Sequence, residues 1–180
     1  MRLKNKLYLL ALFAAACGRP NSNEDKGTPQ PVTISTANIL PIDIVTYAKS
    51  LKGVPYKYGS INPAQGFDCS GFITYVFNHF GINVPRTSVD FTFAGREVAL
   101  DDAQTGDLIL FTGTDTTHRI VGHMGIILTS PGEELKFIHS TSGRDLGVTE
   151  TAFNAYYRTR YVKTIRLFFY NDLLRPDKFW

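Results

Sequence analysis

The chain has 180 residues, enough for one ordinary domain with a buried core and a short tail, and its length gives no sign of two domains. Its formal net charge is +3, from 19 Lys and Arg against 16 Asp and Glu. Three of the positive charges lie in the first 16 residues, where no acid occurs, so the remainder is near neutral if that segment is removed. This balance argues against a nucleic-acid partner.

The N-terminal segment has the pattern of an export signal. A basic start is followed by an apolar run over 7–16 that is too short for a transmembrane helix. The alanines before Cys17 resemble the lipobox of bacterial lipoproteins, although Ala14 stands where Leu is usual. We therefore predict a signal peptide over 1–16 and lipidation of Cys17. Ordinary cleavage near the alanines, leaving a spare thiol, is the alternative.

Residues 17–38 are predicted to form a flexible tether, because their polar composition cannot bury enough apolar surface to fold. Order is expected to begin near Ile39, and Pro41 is suited to the first turn of a helix. Gly53 would end this helix. Its predicted buried face consists of Ile42, Val45, Ala48 and Leu51.

A Gly-rich loop leads into a second predicted helix that has a thiol at its start. Asp68 is a natural N-cap, Cys69 falls on the first turn, and Gly81 follows the last turn. Because the unpaired backbone N–H groups at a helix start favour negative charge, we expect this position to favour the thiolate of Cys69. The apolar positions at helical spacing are Phe72, Ile73, Val76, Phe77 and Phe80.

In the second half of the chain, the spacing of apolar residues no longer fits helices and instead indicates short strands. After a loop at Pro85 and a short helix reaching Gly95, five β-rich runs are separated by turn residues. Helices followed by strands predict an α+β domain whose antiparallel sheet carries helices on one side. We place this domain at 39–170 and treat 171–180 as a C-terminal extension. The predicted strands are 107–111, 123–128, 135–140, 147–149 and 161–169.

Two histidines on neighbouring predicted strands suit the needs of a thiol nucleophile. Such a nucleophile requires a base, and the base requires a third polar group that orients its ring. His123 and His139 could converge on one sulfur at a helix start, with Gly125 leaving room beside the His123 ring. His79, late on the second helix, and His118, in a polar loop, are expected to lie outside the site.

Other roles are open to Cys69. It could be a buried structural thiol, or it could pair with Cys17 in an oxidising compartment. The tether and acylation of Cys17 disfavour that disulfide. A Zn²⁺ site with His123 and His139 is a further alternative, although the close ligand pairs typical of structural zinc motifs are missing.

Short motifs with turn residues and reactive side chains follow one another across about 39–169. They are Pro55-Tyr56, Gly59, Gly66-Phe67-Asp68-Cys69-Ser70-Gly71-Phe72, Pro85-Arg86-Thr87, Gly106-Asp107-Leu108, His123-Met124-Gly125-Ile126 and Phe137-Ile138-His139-Ser140. Together they resemble the NlpC/P60 family of cell-wall cysteine peptidases. The resemblance implies a papain-like fold with N-terminal helices packed on a central antiparallel β-sheet. Ser60, where the family has a second Gly, and a longer loop around 112–121 depart from the family pattern.

The resemblance implies that Cys69 attacks a peptide carbonyl, that His123 is the general base, and that His139 orients His123. No metal or organic cofactor is implied. Two alternatives keep the same fold. One is a wall-binding module without activity, and the other is a papain-like acyltransferase acting on lipids.

Further residues receive implied roles. Tyr56, Asp68 and Ser70 are implied to bind the oxyanion or the substrate, with Asp68 holding the amine of a stem peptide unless helix capping is its whole role. Arg86 and Asp107 are expected to be structural, either satisfying loop backbone groups or pairing with one another.

The implied substrate is a peptide bond in peptidoglycan stem peptides or their cross-links. The short lipoprotein form of the family implies the D-Ala to diaminopimelate cross-link, whereas the wider family more often cuts between D-Glu and the diamino acid. The implied location is the cell envelope. There the protein would be a monomeric lipoprotein held in the outer membrane through Cys17 and facing the periplasm.

Overall fold

The computed structural model describes residues 34–36, 38–143 and 147–168. The predicted signal peptide, Cys17, nearly all of the predicted tether and the extension at 171–180 lie outside these residues. Within them, no helix combines the length and the apolar character that crossing a membrane requires. The helices are α1 (Pro41–Ser50), α2 (Cys69–His79) and α3 (Ala155–Arg160), with 3₁₀ turns at Asp90–Phe93 and Leu100–Asp102. The strands are β1 (Ile61–Asn62), β2 (Gly66–Phe67), β3 (Arg96–Val98), β4 (Leu108–Thr112), β5 (Val121–Ile127), β6 (Lys136–Thr141), β7 (Gly147–Ala152) and β8 (Tyr161–Arg166).

A six-stranded antiparallel sheet forms the centre of the domain, in the order β3-β8-β4-β5-β6-β7. The α2 helix packs against β5, β6 and α1. β1 and β2 form a separate hairpin that lies against α2. The predicted fold class, α+β with helices on a central antiparallel sheet, is therefore confirmed.

Both faces of the sheet are covered, which the sequence did not predict. Along β4, Leu108 and Leu110 join the core under α1 and α2, while Ile109 and Phe111 face the opposite side. Because β4 alternates between two covered faces, all five of its residues are buried. The second face is covered partly by α3, a helix too short to stand out as a periodic pattern. This smaller core comprises Ala103, Ile109, Phe111, Ile127, Phe137, Phe153 and Tyr157.

The first helix forms where it was predicted, but its buried face is different. Ile42 is 54% exposed, so its predicted place in the core is wrong. The predicted set repeated every three residues and therefore drifts around a helix of 3.6 residues per turn. The observed set follows the i, i+3, i+4, i+7 rule. It consists of Pro41, Ile44, Val45 and Ala48.

The second helix agrees closely with its prediction. Asp68 is the N-cap, and its Oδ1 accepts a hydrogen bond from the N–H of Gly71. Gly81 adopts a φ of 70° just beyond the helix, where a left-handed conformation favours glycine. Four of the five predicted apolar side chains are fully buried, and Phe80 is partly buried. The cap and the buried face together fix where Cys69 lies.

Gly125 on β5 is required by close packing with β6. A Cβ at this position would lie 2.6 Å from Cδ2 of Phe137, 2.9 Å from the carbonyl oxygen of Ile138 and 3.3 Å from Cβ of His139. The room that Gly125 was predicted to leave is therefore used by neighbouring side chains of β6, including His139.

Substituting Gly125 by Ala is expected to destabilise the fold by about 2 kcal/mol, because the extra methyl overpacks the core and pushes β6 away. Chemical denaturation measures this change in the free energy of unfolding. Gly113→Ala is the matched control, since a Cβ there meets its nearest atom at 3.9 Å. Equal losses in the two variants would contradict the close packing between β5 and β6.

Candidate active site

Cys69 lies where the start of α2 meets the start of β5. It is the first residue of the helix and is partly buried. Its Sγ is 3.8 Å from the carbonyl oxygen of Gly122, which can accept a hydrogen bond from the thiol. Gly122 directly precedes His123, so the predicted nucleophile and the predicted base come from adjacent segments.

The thiol of Cys69 is held in its neutral form. Burial, followed by the charge of Asp68, raises its pKa to about 11. Backbone N–H groups of Ser70 and Cys69 oppose this, as does the charge of Arg86, but they are the smaller effects. The predicted influence of the helix start is thus present, whereas the expectation that thiolate is favoured overall is wrong.

A hydrogen-bonded chain runs across three strands next to this thiol. Nε2 of His123 lies 2.7 Å from Nδ1 of His139, and Nε2 of His139 lies 2.9 Å from Oγ1 of Thr151. Phe111 and Tyr157 flank the His123 ring, with centroid separations of 6.0 Å and 6.3 Å. The two predicted histidines are therefore brought together on adjacent strands, in fixed orientations.

These contacts fit two sets of neutral tautomers, because the hydroxyl of Thr151 can either accept or donate a hydrogen bond, and one of the two sets suits base catalysis. If Nε2–H of His123 donates to Nδ1 of His139, then Nε2–H of His139 donates to the hydroxyl oxygen of Thr151. Nδ1 of His123 then carries a lone pair, and it has no hydrogen-bond partner among the described residues. This arrangement leaves Nδ1 as the ring nitrogen able to accept a proton.

Both imidazoles are kept uncharged by their surroundings. Burial, followed by the charges of His139 and Arg160, lowers the pKa of His123 well below its ordinary value. Burial and then Arg160 lower the pKa of His139 to about 3. Near neutral pH the site therefore combines a neutral thiol with two neutral imidazoles.

Asp68 and Ser70 belong to a network centred on Arg86. Nη1 and Nη2 of Arg86 donate to Oδ1 and Oδ2 of Asp68 at 3.1 Å and 2.8 Å, and Nη1 also donates to Oγ of Ser70 at 3.0 Å. Asp68 additionally caps the helix through Gly71. Both carboxylate oxygens of Asp68 are thus already engaged within the protein.

Asp107 and Arg86 do not pair with one another, so that part of the prediction is wrong. Asp107 accepts hydrogen bonds from Arg166, Nε to Oδ1 at 3.0 Å and Nη2 to Oδ2 at 2.9 Å. It also accepts from the backbone N–H of Gln104 at 2.8 Å, which matches the predicted role on loop backbone. Each of the two residues therefore anchors a different loop.

Tyr56 lies beside the loop that leads to Cys69. Its backbone forms an isolated bridge with Phe67. Burial raises the pKa of Tyr56, and the charges of Cys69 and Asp68 raise it further.

The remaining histidines lie outside this group. The ring of His79 stacks on Tyr47 with centroids 3.7 Å apart, and His118 contacts Asp115 in an exposed loop. In the described part of the chain, no three His, Cys, Asp or Glu side chains are placed to hold a metal ion. The facing nitrogens of His123 and His139 bond to each other, an arrangement that does not support the zinc alternative.

A cavity of about 460 Å³ lies apart from these residues. It is lined by the loop over 129–135 that follows β5, together with Leu100, Phe153 and Arg158. Four residues of β5, roughly 13 Å of strand, separate His123 from the end of the strand where this loop begins. None of the predicted site residues lines the cavity, so it is not the site of the chemistry described here.

Comparison with known proteins agrees with this geometry. A model of the NlpC/P60 family matches residues 53–166, which include Tyr56, Cys69, His123 and His139. The chain belongs to the NlpC/P60 family. The family comprises peptidoglycan hydrolases and endopeptidases that are cysteine peptidases. The predicted family is thereby confirmed.

Individual NlpC/P60 relatives share about a third of their aligned residues with this chain. A gamma-DL-glutamyl hydrolase of Bacillus subtilis is 31% identical over 124 residues, covering 69% of this chain and 29% of that protein. A murein DD-endopeptidase MepS/murein LD-carboxypeptidase of Escherichia coli is 31% identical over 118 residues, covering 64% and 57%. The aligned part thus spans less than two thirds of either relative.

Solved NlpC/P60 structures share the fold. One from Bacillus cereus has a TM-score of 0.63 at 28% identity, covering 72% of this chain and 40% of that one. The NlpC/P60 domain of the peptidoglycan hydrolase SagA has a TM-score of 0.58 at 25% identity, covering 71% and 99%. The SagA comparison shows that nearly all of that domain has its counterpart here.

Two residues of this NlpC/P60 site were not found by sequence reasoning. Thr151 contacts His139, but the strand was predicted to end at Thr149 rather than Ala152. Its position opposite Phe137 places it on the same face as His139. Arg160 lies on the unpredicted α3 and influences both histidines. Extending the predicted strand at 147–149 to residue 152 would have included Thr151.

Proposed function

We propose that this protein is a cysteine endopeptidase that hydrolyses a peptide bond in peptidoglycan stem peptides or their cross-links. The observation that carries the proposal is the placement of Cys69 at the start of α2, beside the hydrogen-bonded chain of His123, His139 and Thr151. Membership of a family of peptidoglycan hydrolases supports the substrate class.

In the proposed mechanism, Sγ of Cys69 attacks the carbonyl carbon of the peptide bond while Nδ1 of His123 takes the thiol proton. Backbone N–H groups at the start of α2 and the hydroxyl of Tyr56 stabilise the negative charge on the carbonyl oxygen. The imidazolium of His123 then gives its proton to the leaving amine as the C–N bond breaks. Water attacks the remaining thioester with His123 again as base, and the thiol is released.

Proton transfer accompanies the attack in this mechanism because the resting site is neutral. A thiol pKa of about 11 and the lowered pKa values of both histidines disfavour a resting thiolate–imidazolium pair. His139 and Thr151 act by holding His123 in the tautomer whose Nδ1 accepts the proton. The transient imidazolium is a strong acid, which suits protonation of the departing amine.

The bond that we favour is the D-Ala to diaminopimelate cross-link, with the D-Glu to diaminopimelate bond as the alternative. The Escherichia coli relative is named a DD-endopeptidase, and the Bacillus subtilis relative is named a gamma-DL-glutamyl hydrolase. Their identities to this chain are equal. The larger share of the Escherichia coli protein that aligns, 57% against 29%, favours the first bond.

The engagement of Asp68 bears on which end of a stem peptide is recognised. Its carboxylate pairs with Arg86 through both oxygens and also caps α2, and the residue is only 8% exposed. A carboxylate that is neutralised by a bidentate guanidinium attracts a substrate amine weakly. We therefore expect little discrimination between a stem amine that is free and one that is bonded to muramic acid.

We therefore expect cross-linked muropeptides and the same peptides without sugar, which carry a free stem amine, to be cleaved at rates within about threefold of each other. Mass spectrometry of the digests measures both rates and identifies the bond. Conversion of dimers to intact monomers indicates cleavage of the cross-link, and shortened monomer stems indicate cleavage after D-Glu.

Two outcomes would count against these proposals. A tenfold or greater preference for the free amine would contradict the role assigned to the Asp68–Arg86 pair. Absence of any cleaved product, while Cys69 is alkylated by a thiol reagent, would contradict the peptidase function and favour an acyltransferase. Arg86→Gln serves as the matched variant, because it frees Asp68 and should raise the preference for the free amine.

We further propose that the protein is exported, loses residues 1–16 and is held in the outer membrane by a lipid on Cys17, facing the periplasm. Action of the family on peptidoglycan supports a place in the cell envelope. Mass spectrometry of the mature N-terminus tests this proposal. An unmodified Cys17, or retained residues 1–16, would contradict it.

A further inference from the structure

Arg160, at the end of α3, is a buried cation. Only 8% of the residue is exposed. Nη2 donates to the carbonyl oxygen of Thr112 at 2.8 Å and Nη1 donates to the hydroxyl of Tyr156, while Nε has no partner among the described residues. No carboxylate of the described residues forms an ion pair with it. Burial of a guanidinium that has no carboxylate beside it is costly even when it is hydrogen-bonded, which calls for a reason beyond packing.

Aromatic rings join Arg160 to the histidine pair. Its Cζ lies 4.8 Å from the ring centroid of Tyr156 and 6.0 Å from that of Tyr157. The Tyr157 ring in turn lies 5.6 Å from the His139 ring, edge to face, and 6.3 Å from the His123 ring. The guanidinium is thus separated from the imidazoles by one aromatic layer of low polarity, through which charge is poorly screened.

No acid among the described residues offsets this charge beside the pair. Tyr157 from α3 is the titratable group in ring contact with both imidazoles, and Arg160 lies behind it. Cys69, from the start of α2, contacts the carbonyl oxygen of Gly122, the residue before His123. β4 contributes Phe111 and β7 contributes the hydroxyl of Thr151. Glu150 alternates to the other side of β7 and pairs with Lys52 at 3.0 Å.

We propose that Arg160 is a positioning residue that keeps the His123–His139 pair uncharged, so that the pair retains the tautomers needed for base catalysis. A proton added to Nδ1 of His139 would break the chain from His123 to Thr151, because the added N–H would face Nε2–H of His123. A proton resting on Nδ1 of His123 would leave the chain intact but would occupy the nitrogen that acts as the base. A nearby cation disfavours either proton. The proposal builds on the peptidase function proposed above, but it concerns the charge state of the site and is measurable without turnover.

The direct test is a titration of the histidine ring resonances by NMR in the full chain. In the wild-type protein, His123 and His139 are expected to stay neutral between pH 5 and 8, because burial lowers the pKa of both rings. Removing a cation makes protonation easier and raises a histidine pKa. Arg160→Gln is therefore expected to raise the midpoint of His139 by about one pH unit or more.

Matched variants separate charge from packing. Arg160→Lys keeps the positive charge and should restore the wild-type midpoints to within about half a unit. Arg158→Gln removes an exposed arginine of the same helix, one that stacks on Phe153 at 4.9 Å, and should leave the midpoints unchanged. If Arg160→Gln does not fold, Arg160→Met, which keeps the long apolar stem, takes its place.

Two results would overturn the proposal. One is an ordinary midpoint for either histidine of the pair in the wild-type protein. The other is the absence of a raised midpoint when Arg160 loses its charge in a folded variant. In an active preparation, the acid limb of the pH profile of kcat/KM should move to higher pH by the same amount in Arg160→Gln. Loss of activity with unchanged midpoints would assign Arg160 a structural role only.

Discussion

Replacing Cys69 by Ala is expected to lower the rate of muropeptide hydrolysis by roughly 10⁴-fold or more, because the proposed covalent intermediate forms on its sulfur. The alanine side chain fits the space of the thiol, and Asp68 still caps α2 through Gly71. The fold should therefore be preserved. The measurement is the initial rate of product formation by chromatography, with far-ultraviolet circular dichroism as the check on folding.

The other cysteine provides the matched control for this experiment. Cys17→Ser also removes a thiol, but it lies in the predicted tether and should leave the rate on soluble muropeptides within about twofold of the wild-type rate. A folded Cys69→Ala protein that keeps more than about a hundredth of the wild-type rate would show that another group performs the attack.

Replacing His123 by Gln is expected to lower the rate by roughly 10³-fold or more. Glutamine keeps much of the volume of the imidazole but cannot take the proton of a thiol whose pKa is about 11. Because burial disfavours thiolate in this site, the reaction depends strongly on its base. The rate should recover partly as pH rises, since hydroxide then supplies the thiolate directly.

A graded series of variants separates the base from the groups that orient it. His139→Ala should cost less than His123→Gln, and Thr151→Val less again, since each acts through its neighbour. His79→Gln is the control, because His79 stacks on Tyr47 and lies outside the hydrogen-bonded chain. A His123→Gln rate within tenfold of wild type, or a larger loss in Thr151→Val, would contradict these assigned roles.

Local signals in the sequence predicted the parts of the site that depend on local structure. Asp68 as a cap, Cys69 on the first turn and an apolar stripe behind it all follow from rules that span a few residues. His123 and His139 were likewise placed on adjacent strands, and β5 and β6 are indeed neighbours. These elements were therefore predictable from the sequence alone.

Contacts that depend on register and on distant elements were not recoverable. Thr151 meets His139 only because β6 and β7 pair with one particular alignment, which the sequence does not specify. Arg86 reaches Asp68 across 18 positions, and Arg160 approaches the histidines through a helix of six residues. Such pairings are decided by tertiary packing.

The charge state of Cys69 illustrates how a correct local rule can give the wrong net shift of a pKa. The helix start does lower the pKa of the thiol, as expected from its backbone N–H groups. Burial and the neighbouring Asp68 act in the opposite direction and are larger. Burial is a property of the whole fold. A sequence pattern therefore predicts the effect of the helix start on the thiol pKa but not the effect of burial.

Trapping the acyl-enzyme tests most directly that Cys69 attacks a peptidoglycan peptide. The protein is mixed with excess cross-linked muropeptide, quenched in acid within the first turnovers and examined by intact mass spectrometry and peptide mapping. We predict an added mass equal to the acyl part of the cleaved peptide, located on the peptide that contains Cys69 and lost on treatment with hydroxylamine. Turnover without any adduct on Cys69, or an adduct on another residue, would contradict the mechanism.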